Sequence, residues 1–191
     1  MKKLILLSTA FLFLGLSGTS MADPISFGGS EYQVIYQVMT WNNAKAAAES
    51  LGTGWHLVTI TSAAEQDFLA DTLLPTLNGM MWAGASQASG QSLKAGWSWV
   101  TGEAWGYTAW AIGDAAQSIS EPNDWANTDE IYLSLDGRWT RDWTWNDGLT
   151  TADVLGFVAE RTAPVPEPIS MLLFGTGLVG VGGYVRRKLK K

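Results

Sequence analysis

The 191-residue sequence predicts an α+β domain. Three observations lead there: short strand-like runs bounded by turn residues, two helix-like stretches in the first half, and a long, oxygen-rich loop in the second half. Tyr32 to Val38 alternates as a strand. Trp41 to Leu51 is Ala-rich with Gly52 behind it, a helix with its stop. Leu57 to Ile60 reads as a short strand. Ser62 is placed to cap a helix running through Leu73, with Glu65 three residues on as the partner of a capping box. Met80 to Ala85 and Trp97 to Thr101 read as strands separated by a polar Gly/Ser loop. From Ala111 to Asn127 there is little periodicity, as in a long loop. Ile131 to Leu135 and Trp139 to Trp145 are strands framing that loop, with Asp136-Gly137 as a hairpin turn signal between them. Leu155 to Glu160 closes the domain.

Both ends differ from this middle. Met1-Lys2-Lys3 is a short positive region, Leu4 to Leu16 is almost unbroken apolar sequence, and Ser20-Met21-Ala22 offers small residues ahead of Asp23. Residues 1–22 therefore read as a secretory signal peptide. At the other end, residues 165–191 contain Pro166-Glu167-Pro168, then an uncharged run from Ile169 to Val185, then Arg186-Arg187-Lys188-Leu189-Lys190-Lys191. The run, 169–185, is at the short end of what spans a bilayer, and the basic tail after it stays on the cytoplasmic side. Between the ends, residues 23–164 hold 17 acidic and five basic side chains, a net charge of −12. That balance argues against nucleic acid as a partner and suits a surface that collects divalent cations. About 140 residues make one domain with a core of its own.

The loop and its flanks gather Glu121-Pro122-Asn123-Asp124, Asp129-Glu130 and Trp145-Asn146-Asp147. Ca²⁺ takes six to eight oxygen ligands from carboxylates, amide carbonyls, backbone and water. Glu121, Glu130 and Asp147 can supply carboxylates, and Asn123 and Asn146 amide oxygens. Pro122 restricts the backbone between two of these candidates. An acid–amide set has a second use: a carboxylate oxygen left over can accept from a sugar hydroxyl, and an amide NH₂ can donate to one. This is a chemistry of recognition rather than of reaction.

Glu-Pro-Asn followed by Trp-Asn-Asp resembles the sugar-binding signature of C-type lectin domains. Thr40 to Glu49 resembles that family's first helix, His56 to Leu69 the strand and second helix after it, and Trp82-Ala83-Gly84-Ala85 its Trp-Ile-Gly-Leu strand. Trp99 to Glu103 and Tyr107 to Trp110 resemble the lead into the binding loop, and Phe157 to Glu160 the closing strand. The motifs occur in the family's order over residues 30 to 161. The resemblance implies a C-type lectin-like fold and a Ca²⁺ and sugar site formed by Glu121, Asn123, Glu130, Asn146 and Asp147. For the fifth ligand, the register of the following strand selects Glu130, whereas gapless counting from Glu121 selects Asp129. The order Glu then Asn implies mannose-type rather than galactose-type sugars. Trp125 and Trp143 are candidates for stacking on a sugar face. A neighbouring auxiliary Ca²⁺ site is weakly represented: Asp124 can serve it, but Gln87 stands near where the family places a carboxylate. The chain has no cysteine, whereas such domains usually have two disulfides. Ala48 and Ala159 stand at one cysteine pair, and the eleven tryptophans are the expected compensation.

The tail resembles the PEP-CTERM sorting signal of Gram-negative bacteria. That implies an exosortase-type sorting protease as a partner, a transient stay in the inner membrane, and release to the cell surface or an exopolysaccharide (biofilm) matrix. The leading expectation is an exported calcium-dependent carbohydrate-binding protein. An alternative is a matrix or adhesion protein that binds a protein partner and no sugar. A glycoside hydrolase ranks far behind, because carboxylates committed to Ca²⁺ are poor general acids. With no cysteine and His56 alone, a Ser-His-Asp or thiol–imidazole catalyst has almost no material.

Overall fold

The computed structural model describes residues 23–74, 78–112, 120–138, 142–149 and 154–164. The segments read as signal peptide and sorting signal lie outside these, as do residues 139–141 of the expected Trp139–Trp145 strand. The fold is α+β. Strands β1 (Ile25–Phe27) and β2 (Ser30–Ile35) form a hairpin. It turns on Gly28 and Gly29, with φ of +60° and +92°, which glycine adopts without steric cost. Helix α1 (Trp41–Ser50) starts where Thr40 Oγ1 accepts from the Asn43 N–H at 3.4 Å. It contains no β-branched residue, and Ala44 and Ala48, one turn apart, are fully buried. The small side chains let the helix lie close on the sheet.

Strand β3 is only His56–Leu57, not Leu57–Ile60. Regular pairing ends because Val58 divides its backbone bonds, donating to Val158 O at 2.9 Å and accepting from Gly84 N at 2.7 Å. Helix α2 (Ala63–Phe68) is capped by Ser62, whose Oγ accepts from the Glu65 N–H at 3.2 Å. Glu65 completes only a variant of the capping box: its Oε2 accepts from Thr61 N–H at 2.9 Å and its Oε1 from the Tyr32 hydroxyl at 2.7 Å. Past Phe68 the helix widens into a π turn over Leu69–Leu73, closed by Leu74 N–H donating to Leu69 O.

Five further strands follow: β4 (Met80–Ser86), β5 (Ser98–Trp99), β6 (Tyr132–Asp136), β7 (Thr144–Gly148) and β8 (Val154–Thr162). The sheet runs β1-β2-β8-β4-β6-β7, with β3 on β8 and β5 on β4. Only the β4/β8 pair is parallel. Alternate side chains of β4 feed two cores. Met80 and Trp82 pack with Trp41, Ala44, Ala48, Phe157 and Ala159 under α1. Met81 and Ala83 pack with Phe68, Leu69, Leu133, Leu135, Trp145 and Val158. Ala48 and Ala159 are both fully buried in the α1 layer. Around Trp145, the rings of Trp97, Trp99, Trp105, Tyr107 and Trp110 gather with neighbouring centroids 4.8–6.5 Å apart. This aromatic block supports the outer strand β7.

Candidate functional site

The site is assembled on the free edge of β7. Trp145 donates its N–H to Ala109 O at 2.8 Å and accepts from Ala111 N–H at 2.9 Å, so residues 109–111 run along that edge. Ala111 O then accepts from the Glu121 N–H at 2.9 Å, and Ile112 is paired with Ser120. Residues 109–112 and 120–121 are thereby pinned to one another beside β7. The Glu121–Pro122 peptide is cis.

Asp147 clamps the next residues. Its Oδ1 accepts from Asn123 N–H at 3.0 Å and its Oδ2 from Asp124 N–H at 2.9 Å. Asp124 in turn accepts the Glu130 N–H on Oδ1 at 3.1 Å, and Glu130 Oε2 accepts the Trp125 N–H at 2.8 Å. Between them Asp124, Ala126, Asn127 and Asp129 all have positive φ, a strained path for an alanine in particular. Reciprocal bonds between backbone and carboxylate hold the path in place. Asp129 turns the other way: its carboxylate accepts from Ser89 Oγ and from Gly90 N–H, bonds that lower its pKa from the ordinary carboxylate value.

Glu121, Asn123, Glu130 and Asp147 therefore line one region, and its electrostatics are unbalanced. Glu121 is 6% exposed. Burial first, then the adjoining Asp147 carboxylate, then Glu130 and Asp136 push its carboxyl up to about 8. Glu130 is raised as well, by burial first, with Asp147 and Asp124 adding to it; the Trp125 N–H and the Arg138 charge oppose the rise. Two acceptor atoms here are buried and have no donor: Glu121 Oε2 and Asn123 Oδ1.

Asn146 belongs to the same strand but to the other sheet face, as alternation requires. Its Nδ2 donates to Asp136 Oδ2 at 3.1 Å and lies 4.0 Å from Met80 Sδ. Asp136 is 1% exposed and is also held by Arg138 through a 2.7 Å ion pair. Neither Asp136 nor Arg138 stands out in the sequence beyond the turn signal at Asp136-Gly137. The usable sign was their spacing, since Ser134 and Asp136 share the face of Asn146. Of the two stacking candidates, Trp125 is 74% exposed at the rim, whereas Trp143 is 1% exposed and serves as core. Gln87, in the weak auxiliary position, spends its amide on Ser92 O at 2.7 Å and on Ala95 O. The sole histidine, His56, has its Nδ1 2.9 Å from the Leu57 carbonyl oxygen.

Comparison with known proteins agrees with this architecture. Residues 164–188 match the family model described as the PEP-CTERM protein-sorting motif. The motif marks the chain for export and membrane processing. Among the described residues no helix is long and apolar enough to cross a membrane; the expected 169–185 span lies outside them. The chain is 32% identical over 123 residues to lectin BRA-3 of Megabalanus rosa, covering 63% of this chain and 65% of that one. It is 34% identical over 106 residues to snaclec B1 of Macrovipera lebetinus, covering 52% of this chain and 70% of that one. It spans less than two thirds of the length of the first three curated relatives it matches, from 1% to 65%. In structure it is similar to the cow C-type carbohydrate-recognition domain of CD23, solved in the presence of a GlcNAc2Man3 oligosaccharide. The TM-score is 0.59 at 25% identity, over 77% of this chain and 98% of that one. With the order of its strands, its edge-strand loop and these relatives together, the chain belongs to the C-type lectin-like domain family and bears a PEP-CTERM sorting signal.

Proposed function

We propose that this protein is an exported, Ca²⁺-dependent carbohydrate-binding protein of mannose-type preference. The observation that supports it most is the pair of orphaned oxygens, Glu121 Oε2 and Asn123 Oδ1. A buried acceptor without a donor costs roughly 1–3 kcal/mol, and here two belong to Glu121 and Asn123, with the Asp147, Glu130 and Asp136 carboxylates acting on Glu121. A hard cation satisfies both and removes the repulsion. The donor set is all oxygen, with no thiol and no imidazole, which suits Ca²⁺ rather than a softer metal. Among the described residues no three acidic, histidine or cysteine side chains form a metal cluster by themselves. That includes the three carboxylates of the proposed set, Glu121, Glu130 and Asp147; the set takes its other two donors from the amides of Asn123 and Asn146.

Glu121, Asn123, Glu130, Asn146 and Asp147 are the proposed ligands. Glu130 is favoured over Asp129 because Asp129 is committed to Ser89 and Gly90, whereas Glu130 shares the field of Asp147 and Asp124. Glu130 and Asp147 each keep unused lone pairs beyond their backbone bonds. When bound, the cation supplies a Lewis-acidic point at which vicinal sugar hydroxyls can join its coordination. The protein's part is to accept hydrogen bonds from sugar hydroxyls on Glu121 and Glu130 and to donate them from the Asn123 and Asn146 amides. The Glu-then-Asn order is the basis for mannose-type preference. Trp125, exposed at the rim and tied to Glu130 through its backbone, is placed to stack on the sugar ring.

The export signal supports processing by an exosortase-type protease at Pro166-Glu167-Pro168 and delivery to the surface or exopolysaccharide matrix of a Gram-negative cell. Titration calorimetry of the purified protein with Ca²⁺, then with mannose in the presence and absence of the metal, tests the binding reading. Heat from Ca²⁺, followed by mannose binding only with Ca²⁺, is the expected result. Ca²⁺ uptake without affinity for mannose or other sugars would favour the protein-binding alternative. No Ca²⁺ uptake would sink the site.

A further inference from the structure

Asp136 and Arg138 lie beside the proposed ligands yet belong to none of the motifs that identify them. The Asp136 carboxylate is saturated. Its Oδ1 accepts from the Arg138 N–H at 2.9 Å and from Arg138 Nε at 3.0 Å. Its Oδ2 accepts from Arg138 Nε at 3.1 Å, Arg138 Nη2 at 2.7 Å and Asn146 Nδ2 at 3.1 Å. With so many donors and almost no exposure, it has no lone pair to offer a cation. It does, however, decide how Asn146 stands. A carboxylate that accepts all of these donors and is paired with a guanidinium can be faced by only one end of an amide, the NH₂. The amide oxygen must then point away from Asp136.

We propose that Asp136, locked by Arg138, is a positioning residue that fixes the Asn146 amide and leaves Oδ1 as the free acceptor for the cation. This rests on the calcium reading above. An NH₂ has two protons, and Asp136 takes one. The other meets only the weak Met80 Sδ contact at 4.0 Å, which a sugar hydroxyl displaces. The same tether thus orients Asn146 for both of its jobs. The topology explains why a tether is needed. Asn146 and Asp147 project from opposite faces of β7 and can share one cation only across the edge of that strand. Asp147 is fixed by the 123–124 backbone, whereas the Asn146 amide is oriented by Asp136 and, far more weakly, by Met80 Sδ.

Calorimetry with Ca²⁺ on the full chain and its Asp136→Asn, Asp136→Ala and Asn146→Ala variants tests the proposal. Loss of a group that orients a ligand typically lowers metal affinity about 10–100-fold, and that drop is expected for both Asp136 variants. Adding Asp136→Ala to Asn146→Ala should cost little more, since Asp136 acts only through that amide. Side-chain NMR of the ¹⁵N,¹³C-labelled wild type supplies a readout that folding defects do not imitate. One Asn146 Nδ2 proton should exchange slowly without Ca²⁺ and keep its shift when Ca²⁺ is added, while the Asn146 side-chain carbonyl carbon moves. Wild-type Ca²⁺ affinity in the Asp136 variants, or two freely exchanging amide protons, would overturn the tether. If the wild type took up no Ca²⁺, the calcium reading would fail separately, and the amide protons would still decide whether Asp136 holds Asn146.

Discussion

Asn123 and Asp147 occupy neighbouring positions in the site but owe their places to different interactions, and substitutions should separate them. Asn123 Oδ1 has no hydrogen-bond partner among the described residues, so Asn123→Ala should abolish Ca²⁺-dependent sugar retention while the melting temperature in chelator stays within a few degrees of wild type. Asp147→Ala should also abolish retention. It removes the acceptor for two backbone N–H groups as well, which predicts a loss of about 2 kcal/mol in chelator. Denaturant melts with and without Ca²⁺ distinguish the two, and equal destabilisation by both would contradict the clamp. The candidate ligands at 121, 123, 146 and 147 came from motif order. Glu130 against Asp129 was a matter of loop path, which depends on Ser89 and Gly90 forty residues away. Asp136 was missed because a residue that holds a ligand carries no motif of its own.

At the scale of elements, α2 and its anchor make a pH-dependent unit. Glu65 is buried against Tyr32, with Glu160 and Glu103 nearby. Burial is the main cause that raises its carboxyl above the usual value, while its Thr61 and Tyr32 bonds oppose the rise. The Tyr32 hydroxyl is raised too, by burial first and then by the Glu160 charge. A raised carboxyl means that the folded state holds its proton more tightly than the unfolded state. Glu65's favourable contribution is therefore full below about pH 4.3 and is lost as pH rises through the folded value. Glu65→Gln keeps an oxygen for the Thr61 N–H and an NH₂ for the Tyr32 oxygen without burying a charge. It should flatten the fall of melting temperature with pH above that point; a profile parallel to wild type would refute the attribution. On the sheet, a Cβ at Gly156 would run into the Ile35 carbonyl oxygen. Gly156→Ala should cost roughly 1–3 kcal/mol, read as a lower denaturation midpoint. Helix starts were legible because Thr40 and Ser62 are local caps. The ends of β3 and β5 and the π turn were not, since they depend on partners in β4 and β8. Strand β1 had its signal in Gly28-Gly29, but three residues are too few to show a period.

Across the molecule, two cores rich in aromatic side chains lie on either side of one sheet in a chain without cysteine. Ala48 and Ala159 join α1 to β8 inside the same layer. Ala48→Cys with Ala159→Cys should therefore form a bond under oxidising conditions and add about 2–4 kcal/mol, seen as a melting-temperature rise that a reductant reverses. No rise on oxidation would mean that the helix sits off the register the resemblance implies. The α+β class, the order of elements, the export signal and most of the candidate ligands could be read from the chain, because periodicity, caps and motif order are local in sequence. The facing of those ligands could not. Which side of β7 Asn146 takes, which of Asp129 and Glu130 turns inward, and whether Trp125 or Trp143 meets solvent depend on pairing and burial between segments far apart in the chain. Those were decided only when the sheet closed and the charges of Asp136, Arg138 and Asp147 found their partners.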